Sequence, residues 1–219
     1  MNKFFSGVFL QPHPAKVKKG GEDAALVTDN ILAVADGVGG WADSGIDPAK
    51  YSRQLCTNFD DLVRKDEGKG DYVKDPQRLL IDGVELTRET GSCTVCIASL
   101  ALDEPQLLTA NLGDSGFLHL RKNGLDLVSI FRSQEQQHSF NFPYQVGTGG
   151  DDPAKAESKT HEVCHNDILV LGTDGLFDNL FDVRIIELIK PFVRSTDDLL
   201  DPTIVAEIVA KEAEKFSRN

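Results

Sequence analysis

The stretch Ile31-Leu-Ala-Val-Ala-Asp36-Gly37-Val38-Gly39-Gly40-Trp41 places an apolar run directly before an acidic residue and a cluster of glycines. Ile31 to Ala35 is typical of a short buried strand, which ends at the carboxylate of Asp36. Taken alone, Asp36-Gly37 is also typical of a turn between two strands. The alternative is a metal site. A carboxylate on a rigid strand, followed by glycines that let backbone carbonyls approach closely, suits a hard divalent cation.

Two further acidic sites have the same construction. Glu22-Asp23 comes before the strand-like residues 24–28, and Asp174-Gly175 comes after the apolar residues 168–171. Antiparallel strands could bring these acidic ends together. Two metal ions that share a carboxylate are a common arrangement for displacement at phosphorus, so the three sites predict a binuclear centre.

Length and composition indicate one sizeable globular domain and exclude several classes of protein. The chain has 219 residues, 40% of them hydrophobic, with a net charge of −12 and a pI near 4.8. Nucleic acid is not expected as a partner, because that binding depends on Lys and Arg neutralising phosphates. No apolar run approaches the length of about 20 residues that a membrane span needs. The first ten residues lack the features of a secretory signal or a mitochondrial presequence and are predicted to form the first strand.

The four cysteines do not predict a disulfide framework, and they favour a reducing compartment. Cys93 and Cys96 are three residues apart in a strand-like segment, so their sulfur atoms should point to opposite faces of the sheet. That geometry does not suit a zinc or redox pair.

Three Asp-Pro pairs predict helix starts at Asp47-Pro48, Asp75-Pro76 and Asp201-Pro202, each followed by apolar residues at helical spacing. A fourth helix is predicted over residues 183–192, capped by Asp182. We expect the first two helices to cover a sheet. Short apolar runs separated by turn residues predict antiparallel strands at 4–10, 24–28, 31–35, 92–100, 106–112, 116–121, 125–131 and 168–171. Residues 133–160 lack a pattern and are predicted to form a long functional loop.

The string Gly113-Asp114-Ser115-Gly116 also occurs in trypsin-like serine proteases. That chemistry needs a His base and a buried Asp, which in that fold come before the Ser. Only His13 lies well before Ser115, and it stands in a polar segment flanked by prolines. The protease interpretation is therefore disfavoured.

Five motifs follow one another between residues 20 and 179: Glu22-Asp23, Val34-Ala-Asp36-Gly37-Val-Gly-Gly40, Gly91-Ser-Cys-Thr94, Ala110-Asn-Leu-Gly-Asp114-Ser115 and Gly172-Thr-Asp174-Gly-Leu-Phe-Asp-Asn179. In this order they resemble the metal-dependent (PPM, type 2C) protein phosphatases. The segment Gln136-Gln-His-Ser-Phe-Asn141 resembles the corresponding segment in one branch of that family, the branch that includes the mitochondrial T-cell-activation phosphatase.

The resemblance implies an α+β fold in four layers, with two antiparallel sheets flanked by helix pairs (αββα). It also implies hydrolysis of phosphoserine and phosphothreonine in proteins by a water that two Mn²⁺ or Mg²⁺ ions activate, with a possible third ion. Asp36 and Asp174 would be the catalytic residues, as ligands of the metal ions, and Lys18 would bind phosphate. The metal site would comprise Glu22, Asp23, Asp36, Gly37, Asp114 and Asp174.

This sequence departs from the family pattern at three places. Lys18 stands where the family often has an Arg that binds phosphate, and a lysine cannot make the bidentate contact of arginine. Val38 replaces a His that can act as general acid, so no acid is assigned. A final strand with a metal-binding Asp is not found, which suggests a single domain truncated at its C-terminus. The alternative function is therefore an inactive, phosphatase-like binding module. The expected partner is a phosphoprotein, and the location is mitochondrial by resemblance, with the cytoplasm as the alternative.

Overall fold

A computed structural model describes residues 2–66, 69–124, 126–193 and 201–217, and for Ala15, Lys18 and Lys19 it describes the backbone alone. The helices are α1 (Pro48–Lys65), α2 (Asp71–Lys74), α3 (Pro76–Leu86), α4 (Asp174–Phe177), α5 (Asp182–Ile189) and α6 (Pro202–Phe216). The strands are β1 (Asp23–Val27), β2 (Ile31–Gly37), β3 (Ser92–Leu100), β4 (Gln106–Leu112), β5 (Gly116–Asn123), β6 (Asp126–Arg132), β7 (Gln137–Ser139), β8 (Phe142–Pro143), β9 (Val146–Gly147), β10 (Glu157–Glu162) and β11 (Ile168–Gly172).

The three Asp-Pro pairs begin helices, as predicted. Asp47 Oδ1 accepts from the backbone N–H of Ala49 at 3.1 Å, and Asp75 Oδ1 accepts from that of Arg78 at 2.9 Å. Asp201 caps α6 in the same way. Each cap satisfies a backbone donor that the first turn of a helix leaves without a partner, while Pro at the first helical position loses nothing.

Two antiparallel sheets form the centre of the protein. In the first sheet the strand order is β1-β2-β3-β4-β10, and β9 also pairs with β3. The second sheet has the order β11-β5-β6. A small hairpin, β7–β8, stands apart from both sheets.

The sheets are covered by helices on their outer faces. Residues of α1 and α3, among them Leu55, Phe59 and Leu79, form one core with the outer face of the first sheet. Residues of α5 and α6 form a second core with Leu118 and Leu120 of β5. A third core, which includes Ala98, Leu107 and Phe117, lies between the sheets. The predicted four-layer α+β architecture is thus confirmed.

The two faces of β3 separate Cys93 from Cys96. Cys93 belongs to the core beneath α1 and α3, whereas Cys96 belongs to the core between the sheets. The alternation along the strand therefore has the consequence expected from the sequence.

Three local predictions were wrong. Residues 4–10 form no strand, although their exposure alternates, because β propensity needs a neighbouring strand with which to pair. Residues 133–160 contain four short strands, and β10 pairs with β4 along six residues. β10 is an edge strand whose alternate side chains are exposed. Its sequence is therefore polar and lacks the apolar run by which the other strands were predicted. The helix predicted over 183–192 begins at Asp182, which is its first residue and not its cap, ends at Ile189 and continues as a 3₁₀ turn, Lys190–Phe192.

Candidate metal centre

The antiparallel pairing of β1 and β2 brings two predicted acids together. Asp23 begins β1 and Asp36 lies near the end of β2, and the register places them directly opposite each other. Asp174 follows β11 of the second sheet and starts α4. Its carboxylate and that of Asp23 both lie within hydrogen-bonding reach of Asp36. Thr173 Oγ1 also donates to Asp23 Oδ2 at 3.5 Å. The ends of three strands thus converge on one carboxylate cluster.

The cluster is electrostatically unfavourable by itself. Burial raises the pKa of Asp36 well above its usual range, and the negative charges of Asp23 and Asp174 raise it further. Burial also raises the pKa of Asp23, and the charge of Asp174 adds to that rise, although a hydrogen bond with Asp36 and the charge of Lys16 act in the opposite direction. Buried carboxylates are normally paired with a cation or coordinated to a metal. Their oxygen atoms fit a hard divalent ion.

Gly37 and Glu22 are held together beside this cluster. The N–H of Gly37 donates to the carbonyl of Glu22 at 3.2 Å, and Ser52 Oγ donates to the same oxygen at 2.6 Å. A Cβ atom at Gly37 would lie 2.4 Å from the carbonyl oxygen of Pro48. Only glycine fits this contact between β2 and the start of α1, which fixes the backbone of Glu22 near Asp36.

Asp114 extends the acidic region from the turn between β4 and β5. Burial raises its pKa to about 6, and the negative charges of Asp174, Asp178 and Glu135 contribute to that rise. Burial also raises the pKa of Asp178, and the negative charge of Asp174 adds to that rise. Asp178 and Glu135 were not predicted as site residues. Asp178 could have been found from its place in the Asp174 motif, whereas nothing in the sequence signals Glu135.

Ser115 is a buried structural residue. Its Oγ atom lies 2.7 Å from Thr94 Oγ1, and only 1% of the residue is exposed. It has no access to a substrate, which removes the remaining support for the protease interpretation.

A lysine that the sequence analysis did not single out lies next to the carboxylates. Lys16 Nζ forms an ion pair with Glu22 Oε2, and its charge lowers the pKa of Asp23. The side chain of Lys18, the predicted phosphate-binding residue, lies outside the described part of the chain. The sequence signal was the basic segment from Lys16 to Lys19, which does not indicate which of its lysines faces the acids.

The predicted ligands are brought together in part. Asp23, Asp36 and Asp174 are in contact, Gly37 and Glu22 lie beside them, and Asp114 shares their electrostatic field. Among the described residues, no three or more His, Cys, Asp and Glu side chains have the geometry to hold one ion. A carbonyl group and water molecules would have to complete the coordination, and the donor set would then consist of oxygen atoms, which suits Mg²⁺ or Mn²⁺.

The chain matches known proteins over most of its length. Residues 28–215 match the family described as Stage II sporulation protein E (SpoIIE). Probable protein phosphatase 2C 55 of Arabidopsis thaliana is 42% identical over 221 residues, which cover 99% of this chain and 45% of that protein. A PTC7 homologue of Xenopus laevis, also named a protein phosphatase, is 36% identical over 90% of this chain and 70% of that protein. The chain belongs to the PPM (type 2C) protein phosphatase family.

Solved structures agree with membership of the PPM family. The photosystem II phosphatase PBCP has a TM-score of 0.83 with 34% identity, over 95% of this chain and 78% of that chain. The catalytic domain of the phosphatase PstP, solved with two manganese ions, has a TM-score of 0.66 with 18% identity, over 96% of this chain and 89% of that chain. At that identity PstP supports the fold alone. This PPM chain spans about half the length of the Arabidopsis relative. None of its described helices is both long and apolar enough to cross a membrane.

Proposed function

We propose that this PPM-family chain hydrolyses phosphoserine and phosphothreonine in proteins and that its activity depends on divalent metal ions. The observation that carries the proposal is the burial of Asp36 in contact with Asp23 and Asp174. Such a cluster is costly unless a cation occupies it. The relatives named as protein phosphatases support the same reaction.

The residues that would hold two Mn²⁺ or Mg²⁺ ions, with a possible third, are Glu22, Asp23, Asp36, Gly37, Asp114 and Asp174. The oxygen donors of this site support that choice. When bound, the ions would supply a water acidic enough to attack phosphorus near neutral pH and would offset the charge of the phosphate. Asp36, near the end of β2, and Asp174, at the start of α4, would fix the positions of the two ions.

Binding of the phosphate group would fall to the basic segment before β1. Lys16 lies beside Glu22, and we propose that it shares this role with Lys18. Lysine acts as a point charge on phosphate and does not make the bidentate contact of arginine. No side chain is assigned as general acid.

We further propose that residues 1–219 act as one catalytic domain on phosphoprotein substrates. The resemblance of residues 136–141 to the branch that includes the mitochondrial T-cell-activation phosphatase supports a mitochondrial location, and the cytoplasm is the alternative. An inactive binding module is not favoured, because the relatives carry phosphatase names and the acids converge.

The test is hydrolysis of a phosphothreonine peptide by the 219-residue chain with Mn²⁺, and with EDTA as the metal-free control. Asp36→Asn and Asp174→Asn are each expected to lower kcat/KM by about a thousandfold, because several kcal/mol of metal-dependent stabilisation are lost. Asp43→Asn, which changes an exposed acid of the turn Gly39–Ser44, should leave turnover unchanged. Full activity of either Asn variant, or turnover that persists in EDTA, would refute the proposal.

A further inference from the structure

Residues 137–143 form a hairpin that presents an aromatic residue to solvent. β7 and β8 pair through Ser139 and Phe142, and Asn141 turns the chain with a φ of 55°. Phe140, at the tip, is 98% exposed, and Phe142 is 52% exposed. We call this segment the Phe140 hairpin. Phe140 and Phe142 together expose apolar surface on one hairpin, and exposed apolar surface that borders a functional site is characteristic of a contact surface.

One side of the Phe140 hairpin is attached to the acidic site. The N–H of Gln136 donates to the carbonyl of Gly113 at 2.9 Å, and Gln136 Oε1 accepts from the N–H of Gly113 at 3.3 Å. A Cβ atom at Gly113 would lie 2.5 Å from the carbonyl oxygen of Tyr144, so the two segments are in close contact. Because Gly113 precedes Asp114 directly, the hairpin starts one residue from the metal centre.

The other side is held by an aromatic and ionic cluster. His138 stacks on Tyr144 with ring centroids 4.2 Å apart, and its Nε2 lies 2.9 Å from Asp151 Oδ2. The same carboxylate accepts from the N–H of Gln145 at 3.2 Å. Through these contacts His138 and Tyr144 hold the base of the Phe140 hairpin in place, and Phe140 lies outside the cluster. The tip is therefore held in place without being buried.

The Phe140 hairpin and the metal centre border the same space. Asn141 and Pro143 line a cavity of about 1350 Å³, whose wall also includes Asp36, Asp114 and Asp174. Phe140 comes four positions after Gln136, which contacts Gly113, so it lies at most about 14 Å from Gln136. A bound peptide in extended form advances by about 3.3 Å per residue, so it covers that span in four or five residues.

We propose that Phe140 is a specificity-determining residue that contacts an apolar side chain of the phosphoprotein substrate, within about five residues of the phosphorylated one. The inference rests on the proposed phosphatase function. It narrows the substrate class to phosphorylated segments that carry an apolar residue near the phosphate. The continuity between the hairpin and the acidic cavity selects the substrate as the occupant of this surface.

The test compares two phosphothreonine peptides that differ only in the residues three to five positions before and after the phosphothreonine, which are Leu in one and Ser in the other. The wild-type chain with Mn²⁺ is expected to show a KM about tenfold lower for the Leu peptide, as burial of a large apolar side chain implies. Phe140→Ser should remove that preference and leave kcat little changed. Hydrolysis of p-nitrophenyl phosphate, which is too small to reach the hairpin, should be unaffected.

Phe216→Ser is the matched control, since Phe216 is half exposed at the end of α6, away from the hairpin. It should retain the preference for the Leu peptide. A second readout is the fluorescence anisotropy of both peptides, dye-labelled and made with a non-hydrolysable phosphonate in place of the phosphate, with Mn²⁺ present. Tighter binding of the Leu peptide that Phe140→Ser abolishes supports the inference, whereas equal binding of the two peptides overturns it.

The two proposals fail in distinguishable ways. If the wild-type chain hydrolyses neither p-nitrophenyl phosphate nor the peptides, the phosphatase function is refuted, and anisotropy alone decides the role of Phe140. If turnover occurs but Phe140→Ser keeps the wild-type preference in KM and in binding, the specificity role is refuted and the phosphatase function stands. An equal loss on p-nitrophenyl phosphate and on both peptides also overturns the role of Phe140, because it indicates general damage to the site.

Discussion

Lys16 illustrates how one side chain changes the electrostatics of the whole acidic site. It pairs with Glu22 and lowers the pKa of Asp23, in a region where burial and neighbouring carboxylates raise the pKa of Asp36. A lysine that is half exposed can exchange a carboxylate partner for a phosphate at little cost, because both are oxygen anions that accept from its ammonium group. The position of Lys16 therefore suits the capture of a phosphorylated side chain.

Lys16→Met is expected to raise KM for a phosphothreonine peptide by roughly three- to tenfold, since a charge-assisted hydrogen bond contributes about 1.5–3 kcal/mol when desolvated and less near solvent. The inhibition constant of inorganic phosphate should rise in parallel. Lys50→Met, at an exposed position of α1, is the control and should change neither constant. If Lys16→Met leaves phosphate inhibition as it was and only tightens Mn²⁺ binding, then Lys16 serves Glu22 alone.

The acids of the site could be predicted from the sequence, but their mutual arrangement could not. Asp36 and Asp174 each end an apolar run, and that pattern is visible in one dimension. The direct pairing of Asp23 with Asp36 depends on strand register, which the packing of both sheets determines. Glu135 is near Asp114 only because residues 133–136 fold back against the turn at Gly113.

At the scale of elements, the packing of α3 against α1 depends on Gly83. A Cβ atom at Gly83 would lie 2.3 Å from the ring of Phe59, which is fully buried and has no room to move. From the sequence alone, Gly83 indicates only a lower intrinsic stability in the middle of the helix predicted after Asp75-Pro76. The structure shows that its small size allows the two helices to approach.

Gly83→Ala is expected to lower the free energy of unfolding by about 1–3 kcal/mol, because overpacking outweighs the gain in helix propensity. Urea denaturation followed by circular dichroism measures the change. Gly40→Ala serves as the control, as an added Cβ there meets no atom within 4 Å. A Gly83→Ala variant as stable as the wild type would show that Phe59 can move aside.

The three helices that follow Asp-Pro pairs were predictable from local chemistry, whereas the edge strand β10 and the absence of a strand at residues 4–10 were not. Asp47, Asp75 and Asp201 each cap a helix through an interaction within the next three residues, so the sequence alone contains the signal. β10 is polar and is a strand only because β4 offers it a partner. Residues 4–10 show the opposite case, in which strand-like residues lack a strand to pair with.

At the scale of the whole molecule, the acidic cluster links stability to metal and pH. The pKa of Asp114 is raised from its ordinary value of 3.8 to about 6, mainly by burial, and that of Asp36 is raised well above its usual range. A carboxyl whose pKa is raised on folding favours the folded state at low pH, and this contribution is lost as pH rises through the folded pKa. The metal-free chain therefore loses the contribution of Asp114 between about pH 4 and pH 6, and that of Asp36 as pH rises through its raised pKa.

Mn²⁺ is expected to reverse that loss. A concentration one hundred times the dissociation constant should raise Tm by about 5 °C or more at pH 7.5, and by much less at pH 5.0, where protons compete for the same carboxylates. Differential scanning fluorimetry with Mn²⁺ or EDTA measures both values. Asp36→Asn should abolish the shift and Asp43→Asn should retain it. A shift of equal size at both pH values would contradict the assignment of these acids as ligands.

The Phe140 hairpin also has a consequence for how this protein could diverge. Its tip is tied to the domain through Gln136, His138 and Tyr144, and Phe140 contributes nothing to the three apolar cores. Replacement of the tip residue therefore carries almost no penalty in folding, whereas changes at Asp36 or Gly37 disturb the reaction or the backbone. Gene duplicates could exchange one preferred target for another by mutating this tip, while the ancestral chemistry is inherited intact.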